Sequence, residues 1–118
     1  MRYHGAAMAK GNPNFLNGVP ELVVLGLLSR GEMYGYELVD AIREQSGEAL
    51  AFGEGCIYPY LHYLEEARFI ASRRMSVEGR SRVYYRLTPK GEKRLAELAK
   101  DWKRITHGVE LILGGAHA

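Results

Sequence analysis

Residues 55–91 have the sequence GCIYPYLHYLEEARFIASRRMSVEGRSRVYYRLTPKG, and this stretch decides the fold. Its first part places Ile57, Leu61 and Leu64 at the i, i+4 and i+7 spacing that points one narrow apolar stripe inward on a helix. We therefore predict a helix from about Cys56 to Arg68, after a turn at residues 53–55. Its opposite face carries Pro59, His62, Tyr63 and Glu66.

A hairpin of two short strands is predicted after this helix. Strand-forming residues fill Phe69–Met75 and Arg82–Leu87, and the polar segment 76–81 predicts the loop between them. In the second strand, Val83, Tyr85 and Leu87 alternate with Tyr84 and Arg86. This alternation is typical of a strand in a sheet with one buried face.

Helices are also predicted on either side of this unit. Apolar residues at helical spacing follow Asn14 or Asn17, either of which can cap a helix whose first turn tolerates Pro20. A second helix is expected from about Gly35 to Gln45. The last helix is predicted to begin at Pro89, with Thr88 as its cap.

The order of three helices, a hairpin and a long helix is the layout of a winged helix-turn-helix, in which the third helix enters the major groove of DNA. We therefore expect a mainly α (α+β) fold of this type with a long C-terminal helix.

Charge is concentrated in the same part of the chain. Residues 68–94 contain nine basic and two acidic residues, a net charge of +7, whereas the rest of the chain carries −5. This asymmetry favours a surface that meets a polyanion, although a solvated basic hairpin without a partner would have the same composition. The best candidates for minor-groove or phosphate contacts are Arg80 and Arg82 at the hairpin tip, with Arg74 from the preceding strand.

A heptad pattern marks the last helix. The apolar residues follow spacings of 3, 4, 3, 4 and 3: Leu95, Leu98, Trp102, Ile105, Val109 and Ile112. Fewer than three heptads cannot sustain an isolated coiled coil, but they can seal a homodimer that other contacts also support.

The 118 residues suffice for about one domain, which we divide into four segments. These are a flexible tail at 1–13, a DNA-binding winged helix-turn-helix at 14–91, a dimerisation helix at 92–113 and a short tail at 114–118.

Composition narrows the class of protein. With 47% hydrophobic and 25% charged residues, the chain matches a globular protein rather than a disordered one. It has no apolar run long enough to span a membrane, no signal-peptide pattern and a single cysteine, so a cytoplasmic protein is expected. We expect neither a metal site nor a cofactor nor an enzyme, because no ligand cluster, catalytic set or phosphate-binding glycine loop is present.

Three motifs together resemble the PadR family of bacterial and archaeal transcriptional regulators. They are Tyr34-Gly35-Tyr36-Glu37-Leu38, then residues 55–66, then Arg82-Val83-Tyr84-Tyr85-Arg86-Leu87-Thr88-Pro89-Lys90-Gly91. The resemblance covers roughly Phe15 to Leu113 and fits the short subfamily, which dimerises through a single C-terminal helix. It implies double-stranded DNA with a pseudo-palindromic operator as the partner, and repression as the activity.

The resemblance also implies site residues. Tyr58 and His62 are expected at the groove beside Pro59, and Tyr36 is expected to touch the DNA backbone. Tyr36 and Tyr58 could instead pack on each other at the edge of the core. Two positions depart from the family pattern: Cys56, which we also expect among the DNA-binding residues, stands where threonine is usual, and Arg68 stands where glycine is usual.

In short PadR regulators, a tryptophan and its dimer mate line a pore that binds flat aromatic molecules. The resemblance places Trp102 there and predicts an apolar or aromatic effector. The expected walls are Phe15, Leu22, Leu98 and Ile105. The alternative is an ordinary tryptophan that fills its own space in a dimer core.

Two other functions stay open at this point. Cys56 near a helix N-terminus could have a lowered pKa and act as a redox switch. Alternatively, the winged helix could bind another regulator as a protein-interaction module.

Overall fold

The computed structural model describes residues 18–115, which form four helices and one small sheet. In chain order these are α1 (Val19–Leu28), β1 (Met33–Tyr34), α2 (Gly35–Gln45), α3 (Glu54–Glu66), β2 (Ile70–Val77), β3 (Arg80–Leu87) and α4 (Pro89–Gly115). The sheet is antiparallel with the order β1-β3-β2, so the hairpin strand β3 lies in its centre. This is the winged helix-turn-helix expected from the sequence.

The core lies where α1, α2 and α3 meet the inner face of the sheet. The predicted stripe of α3 is fully buried, and it packs with Leu25 of α1, Leu38 of α2 and Ile70 of β2. Tyr85 of β3 closes the core from the sheet side. As a result, the opposite face of α3 is turned outward.

The helix boundaries confirm two predictions and correct two others. α2 and the start of α4 lie where they were predicted. α1 begins at Val19 after Gly18, whose φ of 86° favours glycine, while Asn14 and Asn17 lie outside the described residues. α3 begins at Glu54 rather than Cys56, since Gly53 is extended and its carbonyl accepts the first helical hydrogen bonds.

The end of α3 carries an arginine where the backbone favours glycine. The helix stops at Glu66, and Arg68 follows with a φ of 67°. The Phe69 N–H donates to the Leu64 carbonyl and the Arg68 N–H to the Glu65 carbonyl, which is the Schellman arrangement. Arg68 therefore adopts the left-handed conformation that favours glycine, despite its side chain.

The hairpin is longer and its turn tighter than predicted. Strands β2 and β3 pair from Ile70 with Leu87 to Val77 with Arg80, which leaves only Glu78 and Gly79 as the turn. Both have positive φ, 51° and 77°, as a two-residue turn between twisted strands requires. The six-residue loop predicted at 76–81 was therefore wrong.

The two-residue strand β1 was not predicted at all. It pairs Met33 with Tyr85 and Tyr34 with Tyr84, and α2 follows it directly. The edge of β3 is therefore covered by the chain segment that leads into α2.

Candidate nucleic-acid interface

The exposed face of α3 carries part of the predicted site. Pro59 and His62 are exposed, as are Tyr63 and Glu66, because the buried stripe turns this face away from the core. Pro59 lies within the helix at its sixth residue. The face therefore combines an imidazole with flat apolar surface and one carboxylate.

Tyr58 occupies an intermediate position between core and surface. Its ring lies against Gly35 of α2, where an added Cβ would come within 2.5 Å of the tyrosine hydroxyl. Burial raises the pKa of Tyr58, and Glu54 and Tyr36 raise it further. Tyr36 itself is 52% exposed. Tyr58 is therefore held at the α2–α3 junction, while Tyr36 remains available at the surface.

Cys56 is half-buried in the first turn of α3 and packs against the core. Burial raises the pKa of its thiol, which is opposite to the lowering that a redox switch at this helix end was expected to show. The expected reactive thiolate is therefore disfavoured here.

The three hairpin arginines lie on two faces of the hairpin. Cross-strand partners share a face, so Arg80 and Arg82 lie with Tyr84 on the outer face, whereas Arg74 pairs with Val83 on the face that also carries the core residues. Arg74 donates a hydrogen bond to the Ser81 hydroxyl at 3.2 Å. The sequence grouped the three arginines together, and the structure separates Arg74 from the other two.

Arg82 is held by an aromatic pair. Its guanidinium carbon lies 4.3 Å from the centroid of the Tyr34 ring, and that ring packs edge-on against Tyr84 with centroids 5.5 Å apart. Sequence reasoning missed Tyr34 because its place beside Arg82 depends on β1. The sequence indicated only that Arg82 and Tyr84, two residues apart on a strand, lie on the same face of the hairpin.

Other basic residues of the hairpin region are engaged within the fold. Arg73 forms a two-pronged ion pair with Glu32, at 2.8 and 2.7 Å. Glu65, which lies near the same strand, accepts a hydrogen bond from the Ser72 hydroxyl. The Glu32–Arg73 contact also lowers the pKa of Glu32, mainly through the hydrogen bond.

A second ion pair joins α1 to α4. Arg94 donates to the Glu21 carboxylate at 2.8 and 3.3 Å, and Glu21 is the only charged residue among those buried in the described part of the chain. Lys90 donates to the Ala67 carbonyl at the end of α3. Within residues 18–115, by contrast, Arg74, Arg80 and Arg82 form no ion pair with a carboxylate.

The heptad residues of α4, which form its apolar seam, divide into two groups by exposure. Leu95 and Leu98 are half-buried against the hydrophobic core. The next four seam residues are 47–79% exposed: Trp102, Ile105, Val109 and Ile112. The first turns of α4 thus pack against the core, whereas its later turns present an exposed apolar face.

The predicted effector residues meet at the junction of α1 and α4. A groove of about 150 Å³ is lined by Leu22 together with Leu98, Trp102 and Ile105, and Asp101 lies at its edge. Phe15, the fifth residue predicted there, lies outside the described residues.

Residues 18–115 contain no group of three or more histidine, cysteine, aspartate or glutamate side chains placed to hold a metal ion. Within the same range no helix is long and apolar enough to cross a membrane.

Comparison with known proteins places this geometry in a family. Residues 24–97 match the model of the transcriptional regulator PadR-like family. The transcriptional regulator Rv3488 of Mycobacterium tuberculosis is 31% identical over 101 residues, which cover 86% of this chain and 89% of that protein. The structure of a Clostridium thermocellum transcriptional regulator superposes with a TM-score of 0.76 at 29% identity, covering 82% of this chain and 95% of that one.

A more distant match has been solved with DNA. The negative transcriptional regulator PadR of Bacillus subtilis is 31% identical over 86 residues, covering 71% of this chain and 44% of that protein. Its structure in complex with operator DNA superposes with a TM-score of 0.63 at 29% identity, covering 69% of this chain and 47% of that one. The family match spans more than half of this chain, and Rv3488 is matched over most of its length. The chain therefore belongs to the PadR-like family of transcriptional regulators, which are DNA-binding proteins and not enzymes.

Proposed function

We propose that this protein is a homodimeric transcriptional repressor that binds a pseudo-palindromic operator and is released by an apolar or aromatic effector. The observation that carries the proposal is the joint placement of an outward α3 face and two arginines, Arg80 and Arg82, that no carboxylate within residues 18–115 neutralises. Repression is further supported by the name of the Bacillus subtilis relative, a negative regulator.

In this proposal α3 enters the major groove and the hairpin lies against the adjacent backbone. Pro59 and His62 face the base edges, Tyr36 meets a phosphate, and Cys56 and Tyr58 support the start of the helix. Arg80 and Arg82 supply phosphate contacts, which position the protein without specifying a sequence. Arg74 reaches the DNA from the other face of the hairpin.

The uncovered apolar face of α4 supports dimerisation. Large apolar side chains repeat along one side of the helix: Trp102, Ile105, Val109 and Ile112. Exposure of a contiguous apolar surface to water is unfavourable, and such a surface marks an interaction site. A second copy of the same seam would cover them. Twofold symmetry then predicts half-sites about one helical turn, ~10 bp, apart.

The groove beside Trp102 supports an effector site, because an indole face and aliphatic walls suit flat apolar molecules. A ligand held there releases DNA only if it binds the DNA-free arrangement of the dimer more tightly than the bound one. The test is a panel of planar aromatic compounds, with Trp102 fluorescence and operator affinity measured together. If neither signal responds to any compound, the effector part of the proposal is wrong.

The DNA-binding part is tested by salt titration on a duplex from upstream of the protein's own coding sequence. Arg80 and Arg82 from two protomers make four phosphate contacts, which alone give a slope of about −3.6 in log affinity against log salt. The double variant Arg80→Ala, Arg82→Ala should reduce the slope by about that amount. Lys103→Ala, an exposed charge on α4, is the matched control and should leave the slope unchanged.

Reversal of both charges, Arg80→Glu and Arg82→Glu, sharpens the test. The proposal expects DNA binding to be lost. Unchanged affinity would contradict the hairpin contact and favour the protein-interaction module instead.

A further inference from the structure

The outer face of the hairpin carries two arginines, Arg80 and Arg82, that differ in their exposure and in their contacts. Arg80 is exposed and has neither an ion-pair partner nor an aromatic ring against it within the described range 18–115. Arg82 is half-buried, because its guanidinium lies over the Tyr34 ring. One of the two is therefore ordered before any DNA is present.

The position of Tyr34 is fixed independently of Arg82. Its backbone pairs with Tyr84 in the ladder between β1 and β3, and its N–H donates to the Glu37 carboxylate at 3.1 Å. Its ring meets the Tyr84 ring at an angle of 68°. The sheet and the start of α2 thus hold the ring on which Arg82 rests.

Stacking leaves the binding capacity of an arginine intact. A guanidinium attracted to an aromatic face still directs its N–H groups outward in its own plane, where a phosphate oxygen can accept them. A free arginine loses rotamer freedom when it is immobilised on a ligand, whereas a stacked one has already lost part of it.

We propose that Tyr34 is a positioning residue for DNA binding, which holds the Arg82 guanidinium in the orientation that meets the DNA backbone. This inference rests on the proposed function, since it requires that Arg82 contacts DNA. It adds a residue from outside the hairpin and outside α3 to the determinants of affinity.

The experiment is a double-mutant cycle on the full chain. Affinity is measured by fluorescence anisotropy for two probes, a labelled duplex from upstream of the coding sequence and a random-sequence duplex. Tyr34→Leu should weaken binding to both probes by roughly two- to fivefold, because Arg82 then loses, on binding, the rotamer freedom that the Tyr34 ring had already restricted. Tyr34→Phe keeps the aromatic face and should bind like the parent.

The cycle separates positioning from a general effect on the fold. In an Arg82→Ala background, Tyr34→Leu should cause no further loss, because the side chain that it positions is gone. In the matched Arg80→Ala background it should still cause its two- to fivefold loss. If Tyr34→Leu weakens binding equally in both backgrounds, Tyr34 acts through the fold and the proposal is overturned.

The remaining outcomes are also distinct. If Arg82→Ala leaves affinity and salt slope unchanged, the Arg82 contact of the proposed function fails and the positioning role fails with it, while the Arg80 contact is tested separately by Arg80→Ala. If Arg82→Ala weakens binding but Tyr34→Leu does not, only the positioning role fails. Thermal unfolding is followed for every variant, and Tyr34→Met, which keeps bulk without a π face, replaces Tyr34→Leu if that variant does not fold.

Discussion

Exchange of Gly91 for alanine should destabilise this protein, although the same exchange stabilises most helices. Gly91 is the third residue of α4, and a Cβ at this position would overlap the Phe69 carbonyl oxygen and lie 2.8 Å from Cδ1 of Leu87. The carbonyl is not free to retreat, because it accepts a hydrogen bond from the Thr88 N–H at 3.1 Å. The Thr88 hydroxyl lies 3.0 Å from the same oxygen and 2.7 Å from the Arg68 carbonyl, so its single proton is shared between the two. The Cβ therefore has to push apart the end of α3 and the start of α4.

The magnitude follows from three contributions. Loss of the hydrogen bond from the Thr88 N–H to the Phe69 carbonyl costs about 1 kcal/mol. Crowding in a packed region adds about 1–3 kcal/mol, while the better helix propensity of alanine recovers at most about 1 kcal/mol. The free energy of unfolding should fall by about 1–4 kcal/mol, which lowers Tm by roughly 5–20 °C in a domain of this size.

The assay is thermal and urea unfolding followed by far-UV circular dichroism at one fixed protein concentration. Gly55→Ala is the matched control, since Gly55 lies in the first turn of α3 and no heavy atom would come within 4 Å of its Cβ. That variant should be as stable as the parent or slightly more stable. The reasoning is refuted if Gly91→Ala and Gly55→Ala unfold at the same temperature.

Three further predictions concern the seam, the thiol and acid stability. Val109→Asp places a carboxylate in the exposed α4 seam and should shift the proposed dimer to monomer in sedimentation equilibrium, compared with the parent; an unchanged dimer would contradict the seam as the interface. Because burial raises the pKa of Cys56, its alkylation by iodoacetamide at pH 8 should be slower than that of free cysteine, and equal or faster alkylation would revive the redox alternative. The pKa of Glu32 is lowered by Arg73, so its contribution to stability is present above the unfolded value near 4.5 and is lost as pH falls through the folded value. In Glu32→Gln, the free energy of unfolding should therefore fall less steeply as the pH is lowered. An unchanged pH dependence would show that the ion pair does not contribute to stability.

The parts of the fold that the sequence predicted are those with strong local signals. α2 has glycine at both ends and an apolar stripe between them, and α4 opens with a threonine cap followed by proline, so both boundaries were correct. The turn of the hairpin was misplaced because Ser76, Arg80 and Ser81 lie close to Glu78-Gly79 and extend the polar stretch without interrupting the strands. Hydrophobicity alone could not show that Ser76 and Ser81 pair with each other.

The contacts that shape the site could not be predicted from the sequence, because they join distant parts of the chain. Glu32 and Arg73 lie 41 residues apart, and Glu21 and Arg94 lie 73 apart. No local pattern indicates which acid neutralises which base over such separations. The charge count located the basic segment correctly, but only the paired strands separate Arg74 from Arg80 and Arg82.

The central place of α1 has a mechanical consequence. This helix touches α2, α3, α4 and β3, and the Glu21–Arg94 pair fastens it to the first turns of α4. In the proposed dimer, a displacement of α4 near Trp102 would therefore be transmitted through α1 to the rest of the subunit, and each subunit would rotate as a rigid body. DNA affinity would then depend on the angle between the two subunits, which a small molecule could change without deforming either of them.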